Sequence, residues 1–129
     1  MPFFILFCTA CALISSPAYA QLPGEEVIIR CMIGEAADQG ELGLQAVGEA
    51  IRNRGHLKGV YGCKSGLYDT EPQYVRDMAR RAWRASERSN LTLNSDHWEN
   101  IRAFGVPYWA VGKVPAVVIS GHAFYNDIK

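Results

Sequence analysis

Glu25-Glu26-Val27-Ile28-Ile29-Arg30-Cys31-Met32-Ile33-Gly34-Glu35-Ala36-Ala37 is the stretch whose periodicity decides the reading of this chain. Ile28, Cys31 and Met32 fall on one stripe of an α-helix, and a step of seven from Ile28 lands on Glu35. Leu22-Pro23-Gly24 is a breaker ahead of it, the acids at Glu25 and Glu26 suit the positive end of the helix dipole, and the helix should end near Asp38-Gln39-Gly40. A carboxylate on an apolar face must be desolvated, paired, or set at the edge of a cleft. Desolvation raises its pKa and keeps a proton on it near neutral pH, which is what a general acid requires. The competing reading makes Glu35 the frayed, solvated last turn of the helix.

Downstream, Leu44, Val47, Gly48 and Ile51 predict a second helix from about Glu41 to Arg54, with Gly55 as its stop. Gly43, Ala46, Gly48 and Ala50 make it slim, so a neighbour can come close; each interior Gly costs about 1 kcal/mol relative to Ala, which tight packing would offset. Four glycines between positions 55 and 69 mark an irregular surface segment. Thr70-Glu71-Pro72-Gln73 reads as a capping box opening a third helix to about Ser89, with Val75, Met78, Ala79, Ala82, Trp83 and Ser86 as its inner stripe. Arg76, Arg80, Arg84 and Arg88 repeat every four residues on that helix, with Arg81 beside them. We read them as a solvated face relieved by an Asp77–Arg81 pair, in preference to a surface for an anionic polymer.

Beyond Asn90 the pattern changes. Asn94-Ser95-Asp96-His97-Trp98 and Phe104-Gly105-Val106-Pro107-Tyr108-Trp109 read as aromatic loops, while Val114–Ile119 and His122–Tyr125 are β-prone around a turn at Ser120-Gly121. The expected class is α+β: one small domain, a helical body with a short C-terminal β-hairpin.

At the other end, residues 1–20 hold none of the 13 basic and 13 acidic residues. They end in Ala18-Tyr19-Ala20, and Ser15-Ser16-Pro17 interrupts an apolar run too short for the ~20 residues of a membrane span. They are expected to be a secretory signal peptide, with residues 21–129 as the exported domain, secreted or periplasmic and without a membrane anchor after cleavage. That domain is electrically neutral, which favours neither nucleic acid nor an acidic membrane as partner. Cys31 and Cys63 are then an even pair in an exported chain and read as one disulfide, contributing about 3–4 kcal/mol in the chain-entropy account. A Cys nucleophile served by His97 or His122 ranks behind it, because Cys31 sits inside a helix and not at a helix start. His56, His97 and His122 show no compact metal-ligand spacing, and nothing in the chain calls for a metal or another cofactor.

The segment from Ile28 to Ala37, with its Glu35-Ala36 pair, is followed by Gly43-Leu44-Gln45-Ala46-Val47 and a closing Asn53-Arg54. Towards the C-terminus come Asp96-His97-Trp98, Pro107-Tyr108-Trp109 and Gly121-His122-Ala123-Phe124-Tyr125. In order and spacing these resemble the spore-cortex-lytic (SleB/CwlJ-type) cell wall hydrolase family. The resemblance implies a lysozyme-like fold and cleavage of the glycosidic bonds of peptidoglycan glycan strands, with Glu35 as the catalytic acid. The chain departs from that family in having Ala37-Asp38-Gln39 where Arg-Gly-Glu is usual, and residues 58–94 align poorly.

Glycosidic cleavage needs a proton on the leaving oxygen and stabilisation of an oxocarbenium-like state. Asp38, Glu41 and Asp96 are the candidates for a second carboxylate, Asp96 preferred for its loop position. We favour slightly the alternative in which Glu35 acts alone and the sugar's own 6-hydroxyl attacks, giving a 1,6-anhydro product. His97, Trp98, Tyr108, Trp109, His122 and Tyr125 are the candidates for holding the sugar. A wall amidase or peptidase using Cys or a metal, and a non-catalytic wall-binding module, are the rival classes.

Overall fold

The computed structural model describes residues 22–129 and has the expected α+β architecture; the proposed signal peptide lies outside the described residues. Helix α1 spans Glu25–Ala36 and α2 spans Gly40–Arg54. A 3-10 turn at Tyr61–Lys64 and the short α3 at Leu67–Thr70 lead into α4 at Gln73–Ser86. Strand β1 is His97–Asn100, the short α5 is Ile101–Phe104, a second 3-10 turn is Tyr108–Ala110, and β2 (Val117–Ile119) and β3 (His122–Tyr125) close the chain.

The three long helices bury the stripes that the sequence marks. Ile28, Ile29, Met32 and Ile33 of α1 meet Leu44, Val47 and Ile51 of α2 and Val75, Ala79, Ala82 and Trp83 of α4. Each fully buried Ile or Leu contributes about 1.5–3 kcal/mol, so this one cluster dominates the stability of the domain. The slim face of α2 is used as expected: a Cβ on Gly48 would stand 3.2 Å from Ser86 Oγ and 3.3 Å from Met32 Cε. Gly48 therefore lets side chains of both α1 and α4 pack onto α2. Gly55 ends α2, its N–H donating to Ile51 O.

Some expectations about secondary structure need correction. Thr70 caps nothing, because it is the last residue of α3; Pro72 occupies the N-cap of α4 without a side-chain bond, and α4 stops at Ser86, not Ser89. His97 and Trp98, expected in a loop, open the strand His97–Asn100. Trp98 aside, its residues have little β-propensity, and the ladder to β3 supplies what local preference does not. The sheet is thus three-stranded and antiparallel in the order β1-β3-β2, so the expected hairpin is two of its strands. β2 begins only at Val117, after Pro115, whose ring nitrogen has no hydrogen to give a ladder.

β3 is the central strand and is buried along its length. Phe124 belongs to the helical core, while Ala123 and Tyr125 build a second small cluster with Ala110, backed by Ile101, Trp109 and Ile128. The helical body and the sheet are tied by Asn53 Nδ2 donating to Ser95 O at 2.9 Å and by Gly121 N donating to Gln39 Oε1 at 2.6 Å.

The arginines of α4 form a solvated face, with pairings other than the one expected. Asp77 pairs with Arg80, which also binds Glu26; Arg81 binds Glu41 and Arg84 binds Glu25. Arg76 donates to Tyr68 O and Glu71 O.

Candidate active site

Glu35 sits in the last turn of α1, and the segment after α2 is folded back onto it. Two glycines make that approach possible. A Cβ on Gly34 would lie 1.9 Å from Gly62 O, and one on Gly62 would lie 2.6 Å from both Cys31 O and Glu35 N. Backbone meets backbone there, and the Cys31–Cys63 disulfide fastens the same contact covalently. The consequence is chemical: Gly62 N–H donates to Glu35 Oε1 at 2.9 Å. From the other side Trp98 Nε1 donates a long bond, 3.4 Å, to Glu35 Oε2.

The carboxyl is thus held at both oxygens and partly buried. Loss of hydration raises its pKa above the ordinary 4.5; the bonds from Gly62 and Trp98 oppose the rise, Glu99 adds to it and Arg54 opposes it. Burial is the largest of these influences, so the neutral acid persists to higher pH than in a solvated glutamate. A proton on Oε2 is compatible with the long Trp98 contact and leaves an O–H to donate outward.

Glu35 borders a recess of about 90 Å³ whose other walls include Arg54, Tyr61, His97, Trp98, Glu99 and Trp109. The recess is the narrow waist of a longer groove. On one side an arm of about 490 Å³ runs past Gly62, Lys64, Ser65, Asn100 and Phe104. On the other an arm of about 500 Å³ runs past His56, Lys58, Asp96, Tyr108 and Trp109. A waist between two wider arms fits a chain molecule lying across Glu35 better than a small molecule enclosed beside it. Tyr61 and Phe104 are each 80% exposed and Tyr108 is 90% exposed, so the groove presents bare aromatic rings to solvent.

The residues selected from sequence divide clearly. Glu35, His97, Trp98 and Trp109 meet at the waist, and Tyr108 lines one arm. Trp98 is only 8% exposed and serves as the floor, with the Arg54 guanidinium 4.5 Å from its ring centroid. Asp96 does not enter the recess. It borders the adjoining arm, and its Oδ1 is bonded to His97 Nδ1 at 2.9 Å. It lies immediately before β1, its N–H donating to Tyr125 O at 3.2 Å, and the next residue, His97, takes the place at the recess.

His122 and Tyr125 are not ligand-contacting groups as expected, since both are buried, at 1% and 2% exposure. Central strand β3 is covered on both faces, and so their side chains face protein. Tyr125 acts from behind: Trp109 packs edge-on against it at 5.3 Å and tilts against His97 at 5.5 Å, so Tyr125 props up two walls of the waist. His122 has no hydrogen-bond partner at either ring nitrogen, and burial holds its pKa down at about 4.

Arg54, Tyr61, Gly62, Glu99 and Phe104 were not selected as site residues from the sequence. Reading residues 97–100 as a strand would have placed His97 and Glu99 on one face through the two-residue period. Nothing local marks Tyr61 or Gly62, whose part follows from the Gly34 contact. Among the described residues no group of three or more His, Cys, Asp or Glu is arranged to hold a metal ion, and no helix is long and apolar enough to cross a membrane. Both Cys31 and Cys63 are consumed by the disulfide, which removes them as nucleophiles. Comparison with protein families, with curated proteins and with solved structures finds no match for this chain.

Proposed function

We propose that this protein is an exported enzyme that cleaves glycosidic bonds in the glycan strands of peptidoglycan, with Glu35 as general acid. One observation carries the reading: a carboxyl with a raised pKa, held at both oxygens, borders the waist of an open groove with aromatic walls. A glycosidic oxygen lying across that waist receives the Glu35 proton as its bond to the anomeric carbon breaks. Tyr61, Tyr108, Trp109 and Phe104 offer ring faces against which the apolar faces of sugar rings stack. The Cys31–Cys63 bond supports an oxidising compartment and therefore export. The resemblance of Glu35-Ala36, Gly43–Val47 and Asn53-Arg54 to spore-cortex-lytic wall hydrolases supports the same substrate.

Digestion of purified sacculi, with mass spectrometry of the soluble products, tests the reading. Muropeptides released by glycan cleavage, and their absence with a folded Glu35→Gln protein, are the expected result. Freed stem peptides would make the protein an amidase, and binding without products would make it a wall-binding module; either overturns the reading.

A further inference from the structure

A general acid protonates the leaving oxygen, but hydrolysis also needs a group that takes a proton from water. Asp96 is bonded to His97, and Glu41 is bonded to Arg81 on the helical surface. Asp38 lies along a shallow extension of the groove past Leu67 and Glu71, outside the waist. Glu99 alone among the acidic residues shares the waist with Glu35, and it also lines the arm toward Phe104. Its strand fixes it there, paired in register with Ala123 of β3. Asn100 N–H donates to Glu99 Oε1 at 3.0 Å, and among the described residues no bond occupies Oε2. The result is a partly buried carboxylate, anchored by one oxygen and open at the other, in the same recess as the carboxyl whose pKa burial raises.

Resting on the reading of Glu35 as acid, we propose that Glu99 is the second catalytic carboxylate and that the reaction is hydrolysis, not anhydro-forming cleavage. A water molecule at the waist gives a proton to Glu99 while its oxygen bonds to the anomeric carbon. The electron pair of the breaking glycosidic bond stays with the leaving oxygen, which takes the proton of Glu35. One water is consumed, one reducing end and one free hydroxyl are formed, and proton exchange with solvent restores both carboxyls. The two groups also suit their tasks electrically: the charge on Glu99 helps to hold the proton on Glu35, while Arg54 across the waist limits that effect.

Sacculi digested in ¹⁸O-water by the full exported chain provide the test. The expected products are reducing ends carrying ¹⁸O. Glu99→Gln is expected to lower kcat about 100-fold or more, with Glu99→Asp recovering part of it. In any residual activity of Glu99→Gln, the alkaline limb of the pH profile moves to lower pH, because the charge that helps to hold the proton on Glu35 is gone. Wild-type products ending in unlabelled 1,6-anhydro sugars overturn the role of Glu99 and leave Glu35 standing. So does a Glu99→Gln protein of undiminished rate when Glu35→Gln is dead. Should Glu99→Gln fail to fold, Glu99→Ala takes its place: a rate partly restored by added azide or formate supports the role of Glu99, and an undiminished rate overturns it. Failure of the wild-type protein to break any glycosidic bond removes the reading of the site together with this proposal.

Discussion

Two glutamates of adjacent helices are drawn into the protein, and they are put to opposite uses. Glu49 of α2 is 2% exposed and accepts from Ser89 Oγ, from the N–H groups of Leu91 and Thr92 at 2.9 Å, and from Thr92 Oγ1 at 3.0 Å. All of its bonding capacity goes to pinning the turn after α4 onto α2. Glu35 of α1 accepts two bonds, one of them long, and keeps an edge toward the groove. A saturated carboxylate is a structural tie; an unsaturated one at a waist has capacity left for a substrate. Burial alone does not separate the two. The count of donors does.

The sharpest way to break this contrast is to neutralise each group in turn. Glu35→Gln is expected to lower kcat by about 10²–10⁴-fold on sacculi, the usual worth of a general acid, while circular dichroism and thermal melting show a folded protein. Glu49→Ala should do the reverse. It leaves four buried or partly buried donors without their acceptor and is expected to cost about 4 kcal/mol in denaturant unfolding, with activity per folded molecule unchanged. A large loss of stability in the first variant, or of kcat in the second, would erase the distinction.

A third prediction concerns His122, buried like Glu49 but with no partner. The unfolded chain takes up its proton near the ordinary 6.5, the folded protein only near 4. Below pH 6.5 the unfolded state therefore binds more protons than the native one. Stability is full above pH 6.5 and falls as pH drops through that window, by up to about 3 kcal/mol once both forms are protonated. Urea unfolding at a series of pH values checks this, and His122→Phe should flatten the dependence. Glu35 has the opposite sign: its raised pKa means that stability is greater at low pH and declines as pH rises through the interval above 4.5. Glu35→Gln should accordingly melt slightly higher than wild type at neutral pH, a measure of what holding an acid in the waist costs. Smallest of all, Arg81→Ala and Arg84→Ala remove exposed ion pairs to Glu41 and Glu25 and should leave melting unresolved from wild type.

The part of this design visible in the primary sequence is the part governed by local period. Ile28, Cys31, Met32 and Glu35 recur at helical intervals, and so the stripe and the unusual acid on it could be read directly. The same holds for the faces of α2 and α4, and an even cysteine pair in a chain read as exported was enough to expect the disulfide. Strand β1 was not legible, since His97-Trp98-Glu99-Asn100 carries neither alternation of apolar residues nor β-branched side chains. Missing it left Glu99 out of the candidate residues and put Asp96, which borders only the adjoining arm, ahead of it. His122 and Tyr125 were misplaced for a related reason: a four-residue β-prone run does not reveal whether it will be an edge strand or a covered central one.

By itself, then, the sequence determined three amphipathic helices, the α+β class, the disulfide and the singular position of Glu35, because each depends on residues a few places apart or on simple counting. Tertiary structure alone decided that Gly62 would cap that acid, that Glu99 would face it, and that Glu49 would be spent on a turn. Those juxtapositions join residues 27 or more positions apart along the chain. They exist only because two glycines permit backbone to touch backbone and a central strand recruits an unpromising neighbour, and no local propensity encodes either contact.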